Sequence, residues 1–168
     1  MNWLVCIIAL LWSSHVSASP SKAVVDTCLR TADVHPKVHY QSWPVREINE
    51  FDNEERKRNE LTMRFRGQSV GIWTSERQRW GIILNGQSVP SQRIISLAKK
   101  SEPYEFDPRL AMLGEIRDGK NKYVCVTFNF DGIGRSGSYQ NVRGAYLIEA
   151  APELRVYYAA GNIALHAK

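Results

Sequence analysis

No apolar stretch in this sequence approaches the ~20 residues a membrane-spanning helix needs. The apolar run from Trp3 to Trp12 covers only about half that length. Cysteine is scarce, with three in 168 residues and no C-x-x-C pair, which excludes the usual structural zinc sites. Histidine is nearly as rare, with four in the chain. His35 and His39 share the i,i+4 interval of helical metal ligands, but Pro36 between them breaks the helix that interval requires. No internal repeat, low-complexity tract or linker is present, so no second domain is expected. No Asn-x-Ser/Thr acceptor occurs either.

The apolar run at the start has the length of a secretory h-region. It is followed by polar residues and by the small side chains of Val16-Ser17-Ala18. Residues 1–18 therefore read as a signal peptide, cleaved after Ala18, although Met1-Asn2 lacks the usual Lys or Arg. Residues 19–168 form the exported chain, periplasmic or extracellular, with no transmembrane segment. Its formal net charge of +5 survives cleavage, because the first 18 residues contain no Asp, Glu, Lys or Arg. A basic exported protein suits an acidic partner or a polyanionic envelope, and its compartment excludes nucleic acid.

Cleavage also changes the cysteine count from odd to even. Losing Cys6 leaves Cys28 and Cys125 in an oxidising compartment, where an even pair closes into a disulfide. The closed loop of about a hundred residues would constrain the unfolded chain by roughly 4–5 kcal/mol.

Apolar spacing along the exported chain predicts an amphipathic helix over 21–32, with Cys28 facing inward. Val38 to Trp43 reads as extended. Residues 46–60 are densely charged with both signs and read as an exposed helix or a mobile loop. Leu61, Met63 and Phe65 alternate with Thr62, Arg64 and Arg66, the pattern of a half-buried strand with a basic outer face. Strands follow at 70–73 and 80–84, and Asn85-Gly86 marks a tight turn. Ile94, Ile95, Leu97 and Ala98 suggest a short helix ending at Lys99-Lys100. Hairpins are expected across Asp118-Gly119-Lys120-Asn121 and across Ala151-Pro152-Glu153. The sum is one α+β domain, mainly antiparallel sheet with two or three short peripheral helices.

Motifs for chemistry fail one by one. Gly132 to Gly137 spells G-x-G-x-x-G after a strand, but no helix follows to hold a pyrophosphate. Ser136 lacks the spacing of a nucleophile elbow. Glu115 and Glu149 fall inside predicted strands, each as the outward member of an alternating pattern. No catalytic residue, metal ligand or cofactor site is assigned. Two stretches fit partner binding. The 131–144 loop mixes Gly with Arg135, Ser136, Ser138, Tyr139 and Arg143, a composition suited to adaptable recognition. Trp73 and Trp80 lie close to Arg77 and Arg79, and tryptophan and arginine dominate the energetic centres of interfaces.

In general profile, a small exported sheet protein with one disulfide and no catalytic motif, the chain resembles bacterial periplasmic inhibitor and immunity proteins. The likeness is architectural and shares no motif. It implies a binding protein that blocks a protein partner, such as an envelope-attacking toxin or hydrolase. The alternatives are a cell-envelope hydrolase whose carboxylates form no motif, and an accessory component of an envelope assembly. The basic balance speaks against a strongly basic partner, an inhibitor of which should present an acidic patch. A hydrolase should bring acids or histidine together in a concavity, and an assembly component should leave a strand edge unpaired.

Overall fold

The computed structural model describes residues 19–44, 47–98, 101–130, 141–150 and 153–166. Eleven strands and one α-helix fall within them. The helix α1 (Lys22–Arg30) begins where Ser21 Oγ accepts the Val24 amide at 3.3 Å. It ends at Thr31, whose left-handed backbone (φ 53°) returns its amide to Cys28 O.

A six-stranded sheet runs in the order β1 (Val38–Trp43), β8 (Met112–Asp118), β9 (Asn121–Asn129), β10 (Val142–Glu149), β11 (Arg155–Asn162), β7 (Ile95–Ser96). All its pairings are antiparallel except the short β7–β11 contact. The second sheet is a fully antiparallel meander of β2 (Glu47–Asn53), β3 (Arg58–Phe65), β4 (Gln68–Thr74), β5 (Trp80–Leu84) and β6 (Gln87–Pro90).

The six-stranded sheet is buried on both faces, which is why β9 and β10 read as near-continuous apolar runs. Val124, Val126, Phe128, Tyr146 and Tyr158 meet Met63, Phe65, Ile72 and Ile82 of the meander. On the opposite face Tyr123, Cys125, Ala145, Leu147 and Tyr157 meet Val24, Cys28 and Leu29 of α1. The Cys28–Cys125 disulfide joins the helix to the central strand in that second core.

Two of the expected helices are absent. Residues 47–53 and 58–65 form the β2–β3 hairpin instead of an exposed helix or loop. Strand β2 lies at a sheet margin and has no continuous apolar face, so its sequence carries little local signal; the ladder with β3 organises it. At 91–98 only a 3₁₀ turn forms, at Ser91–Arg93, before the chain straightens into β7. The adjacent β-branched residues Ile94 and Ile95 favour extension, and Leu97 donates its amide to Tyr158 O at 2.8 Å. The secondary structure is thus α+β with one α-helix, together with 3₁₀ turns such as Pro108–Leu110. Among the described residues no helix is long and apolar enough to cross a membrane.

Candidate functional site

The chain from Glu102 to Leu110 crosses between β7 and β8 and is pinned by aromatic contacts. Phe106 stacks on Phe128 at 5.2 Å, and Tyr104 meets Phe130 edge-on at 5.2 Å. Tyr146 donates its hydroxyl to Tyr104 O. Asp107 then starts the Pro108–Leu110 turn by accepting the Arg109 amide at 2.9 Å, with Pro108 at the first turn position. The same carboxylate takes Arg109 Nε at 3.0 Å and Nη2 at 2.9 Å.

Between this segment and the first three strands of the meander lies a cleft of about 640 Å³. Leu61, Ile72 and Phe106 supply apolar lining, Tyr104 an aromatic wall, and Glu50, Glu105 and Asp107 three carboxylates beside the single guanidinium of Arg109. A second depression of about 500 Å³ shares Asn59 and Thr74 with it and adds Asp52, Glu54 and Glu76 beside Lys57 and Arg58. Leaving out Glu60, whose carboxylate turns to the opposite face, six of the chain's 17 acids and only three bases border these two hollows. An otherwise basic protein therefore has one strongly acidic end.

The Arg109 guanidinium holds the Asp107 carboxyl below its ordinary range, against a smaller opposing effect of burial. Glu50 in turn adds to the field that raises Arg109. A general acid needs its carboxyl pushed upward. Asp107 is pushed the other way, toward its ionised form, and no histidine lines either hollow. The arrangement can hold a cation against apolar and aromatic surface; it does not assemble an acid–base pair around Asp107.

Behind the cleft, on the outer face of the meander, Arg58 Nε meets Glu60 Oε1 at 2.8 Å. Asn53 donates to the same oxygen at 3.0 Å, and the Arg58 guanidinium lies 5.0 Å above the Trp73 ring. Gly81 makes room for this stack, since a Cβ there would sit 2.6 Å from Trp73 Nε1.

No protein family, characterised protein or solved structure matches this chain. The site rests on its own geometry.

That geometry scatters the residues expected to bind a partner. Trp73 pairs with Gly81 and Thr74 with Trp80, so the two indoles point to opposite faces of the meander. Trp73 lies under Arg58, whereas Trp80 packs against the inter-sheet core, edge-on to Tyr146 at 6.4 Å. Arg77 and Arg79 are exposed in the β4–β5 connection. Arg143 faces α1, where it donates to Leu29 O at 3.0 Å and so covers an end-of-helix carbonyl. Burial lowers its pKa from the usual arginine value. Arg135, Ser136, Ser138 and Tyr139 lie outside the described residues.

Of the two strand acids, Glu115 receives Arg117 Nε at 2.5 Å. Glu149 is buried rather than outward, with Tyr157 Oη 3.5 Å from its carboxylate. Both faces of the six-stranded sheet are covered, so alternation there does not separate inside from outside. His35 and His39 are exposed. Among the described residues no group of three or more His, Cys, Asp or Glu is placed to hold a metal.

Sequence reasoning missed Glu50, Tyr104, Glu105 and Asp107. The Asp107-Pro108 dipeptide was the one local signal, because Asp before Pro commonly opens a helical turn. It locates a turn, not a cleft.

Proposed function

We propose that this chain is an exported protein, freed of residues 1–18, that binds and blocks a protein partner through the acidic cleft. The observation that carries the reading is the concentration of carboxylates around Tyr104 and Phe106 in a chain of net charge +5. An enzyme or toxin that acts on polyanionic envelope material gains from a basic surface, and such a surface is complementary to this end of the molecule. The partner class is therefore a basic, envelope-directed hydrolase or toxin that presents a Lys or Arg side chain to Glu50 and Glu105. The aromatic wall and apolar lining would cover the aliphatic stem of that side chain.

A hydrolase reading needs a carboxyl raised toward neutrality, and the downward shift of Asp107 speaks against that residue as the acid. Function as an assembly accessory has a specific observation in its favour, the edge of β2, beyond which no strand lies among the described residues.

Affinity capture from an envelope extract tests the binding reading. The Glu50→Lys/Glu105→Lys variant should lose a salt-sensitive partner that the unaltered protein retains. Replacement of residues 132–142 by a short turn should leave capture intact. The opposite pattern, capture lost with the loop and kept with the charge reversal, would remove the cleft from the account.

A further inference from the structure

The two sheets present four marginal strands, and three of them are short or covered. Strand β7 has only two residues, and β6 has four and ends in Pro90. On β1 the segment before the strand folds back: Val38 donates its amide to His35 O at 3.0 Å, and Tyr40 donates to Asp33 Oδ1 at 2.6 Å. Short length, proline and covering loops are the ordinary defences of a sheet edge. Among the described residues strand β2 has none of these three, and its guard is the charge of Glu47, Glu50 and Asp52. It is seven residues long, pairs with β3 in unbroken register from Glu47↔Arg64 to Asn53↔Arg58, and contains neither bulge nor proline. Among the described residues no strand lies on its other side.

Its side chains combine that charge with exposed apolar groups. Ile48 and Phe51 are 47% and 46% exposed, one on each face of the sheet. Ile48, Glu50 and Asp52 share the face that turns toward the cleft, since their partners on β3 include the core residues Met63 and Leu61. Glu50 lines the cleft itself. All three charges of the strand are negative. An antiparallel pairing of two copies centred on this strand would set Glu50 against Glu50, and like charges directly opposite destabilise a ladder. The same acids favour a strand of opposite sign.

We infer that β2 is a docking edge, at which an extended segment of the protein partner adds a sixth strand to the meander. On one face of that segment, basic residues two positions apart meet Glu50 and Asp52; on the other, an apolar residue covers Phe51. Main-chain hydrogen bonds would hold the segment, and the acidic cleft would select its charge. This rests on the cationic-partner reading above and specifies how the partner presents its charge.

A synthetic heptapeptide of alternating lysine and valine, fluorescein-labelled at its N-terminus, probes the edge in a binding titration with the purified protein. Two isomers carry N-methyl groups on one or the other set of alternate amides, with charge and side chains unchanged. Only one set of amides can face β2, so one isomer should bind at least about tenfold more weakly than the parent while the other binds comparably. Glu50→Lys should weaken the parent by a similar factor, and amide exchange should slow at alternate positions of residues 47–53. If both methylated isomers bind like the parent, the strand inference is wrong and the cleft holds lysine by charge alone. If no peptide binds while Glu50→Lys/Glu105→Lys still abolishes capture from the extract, docking at β2 is overturned and the cleft reading stands. A dimer by light scattering that Glu50→Lys alters would assign the edge to a second copy and overturn the inference as well.

Discussion

Arg58 carries its charge to the outer face of the meander, where its side chain and that of Glu60 retain only 9% and 7% of their exposure. At that depth each ion depends on the other, because removing one leaves the other buried with only neutral partners, Asn53 beside Glu60 and Ser88 beside Arg58. The geometry overstates the net benefit of the pair. Arg58 Nη2 and Trp73 Nε1 are buried without an acceptor, and an unsatisfied buried donor costs roughly 1–3 kcal/mol. Arg58→Ala is expected to destabilise the fold by about 3–5 kcal/mol, whereas Arg58→Met/Glu60→Leu should recover most of that loss. Urea unfolding of the three proteins checks this. A single variant no weaker than the double would mean that Glu60 finds water, and that the pair is not closed off as its burial indicates.

At the scale of elements, α1 is held to the six-stranded sheet by Val24, Leu29 and the Cys28–Cys125 bond, which spans 97 residues of sequence. Cys28→Ala/Cys125→Ala should lower stability by roughly 4–5 kcal/mol through the unfolded chain. It should also speed amide exchange in α1 while sparing β3 to β5, which lie in the other core. Equal acceleration in both would show that the two cores unfold as one unit. The helix and this bond were legible in the sequence because their signals are simple: helical spacing of apolar residues, and two cysteines left once residues 1–18 are set aside. The turn at Asn85-Gly86 was legible for the same reason, and both residues do take positive φ, at 50° and 78°. Strands β2, β6 and β7 were not legible, because each is organised by the neighbour it pairs with and not by its own pattern. The cleft was hidden more deeply. Glu50 stood in a charged run that reads as solvated surface, and Glu105 and Asp107 lie more than fifty residues away in an irregular segment. Only the crossing of that segment against the meander brings them together.

The whole molecule stacks helix, sheet and sheet, so the central sheet offers little solvent to the tyrosines it carries. Burial pushes the Tyr123 phenol up to about 12 from an ordinary 10.0, with the nearby Glu149 carboxylate adding to the shift. Burial likewise raises Tyr146, Tyr158 and Tyr40. An acid whose folded pKa is raised remains protonated in the native state while the unfolded chain has already ionised. Between the two values the native state binds more protons, so stability falls as pH rises. For Tyr123 the stabilisation is complete below pH 10 and is lost as the pH approaches 12. Asp107 acts at the other extreme: its lowered pKa contributes stability above the ordinary carboxylate value, lost as acid carries the pH down through its folded value. The urea midpoint should therefore be level through neutrality and decline above pH 10, with tyrosinate absorbance developing together with the loss of structure. Tyr123→Phe should make the alkaline decline shallower and leave the acid limb unchanged. If the phenols ionise well before the fold is lost, solvent reaches the interior of the central sheet, and the two-sided burial that organises this architecture does not hold in solution.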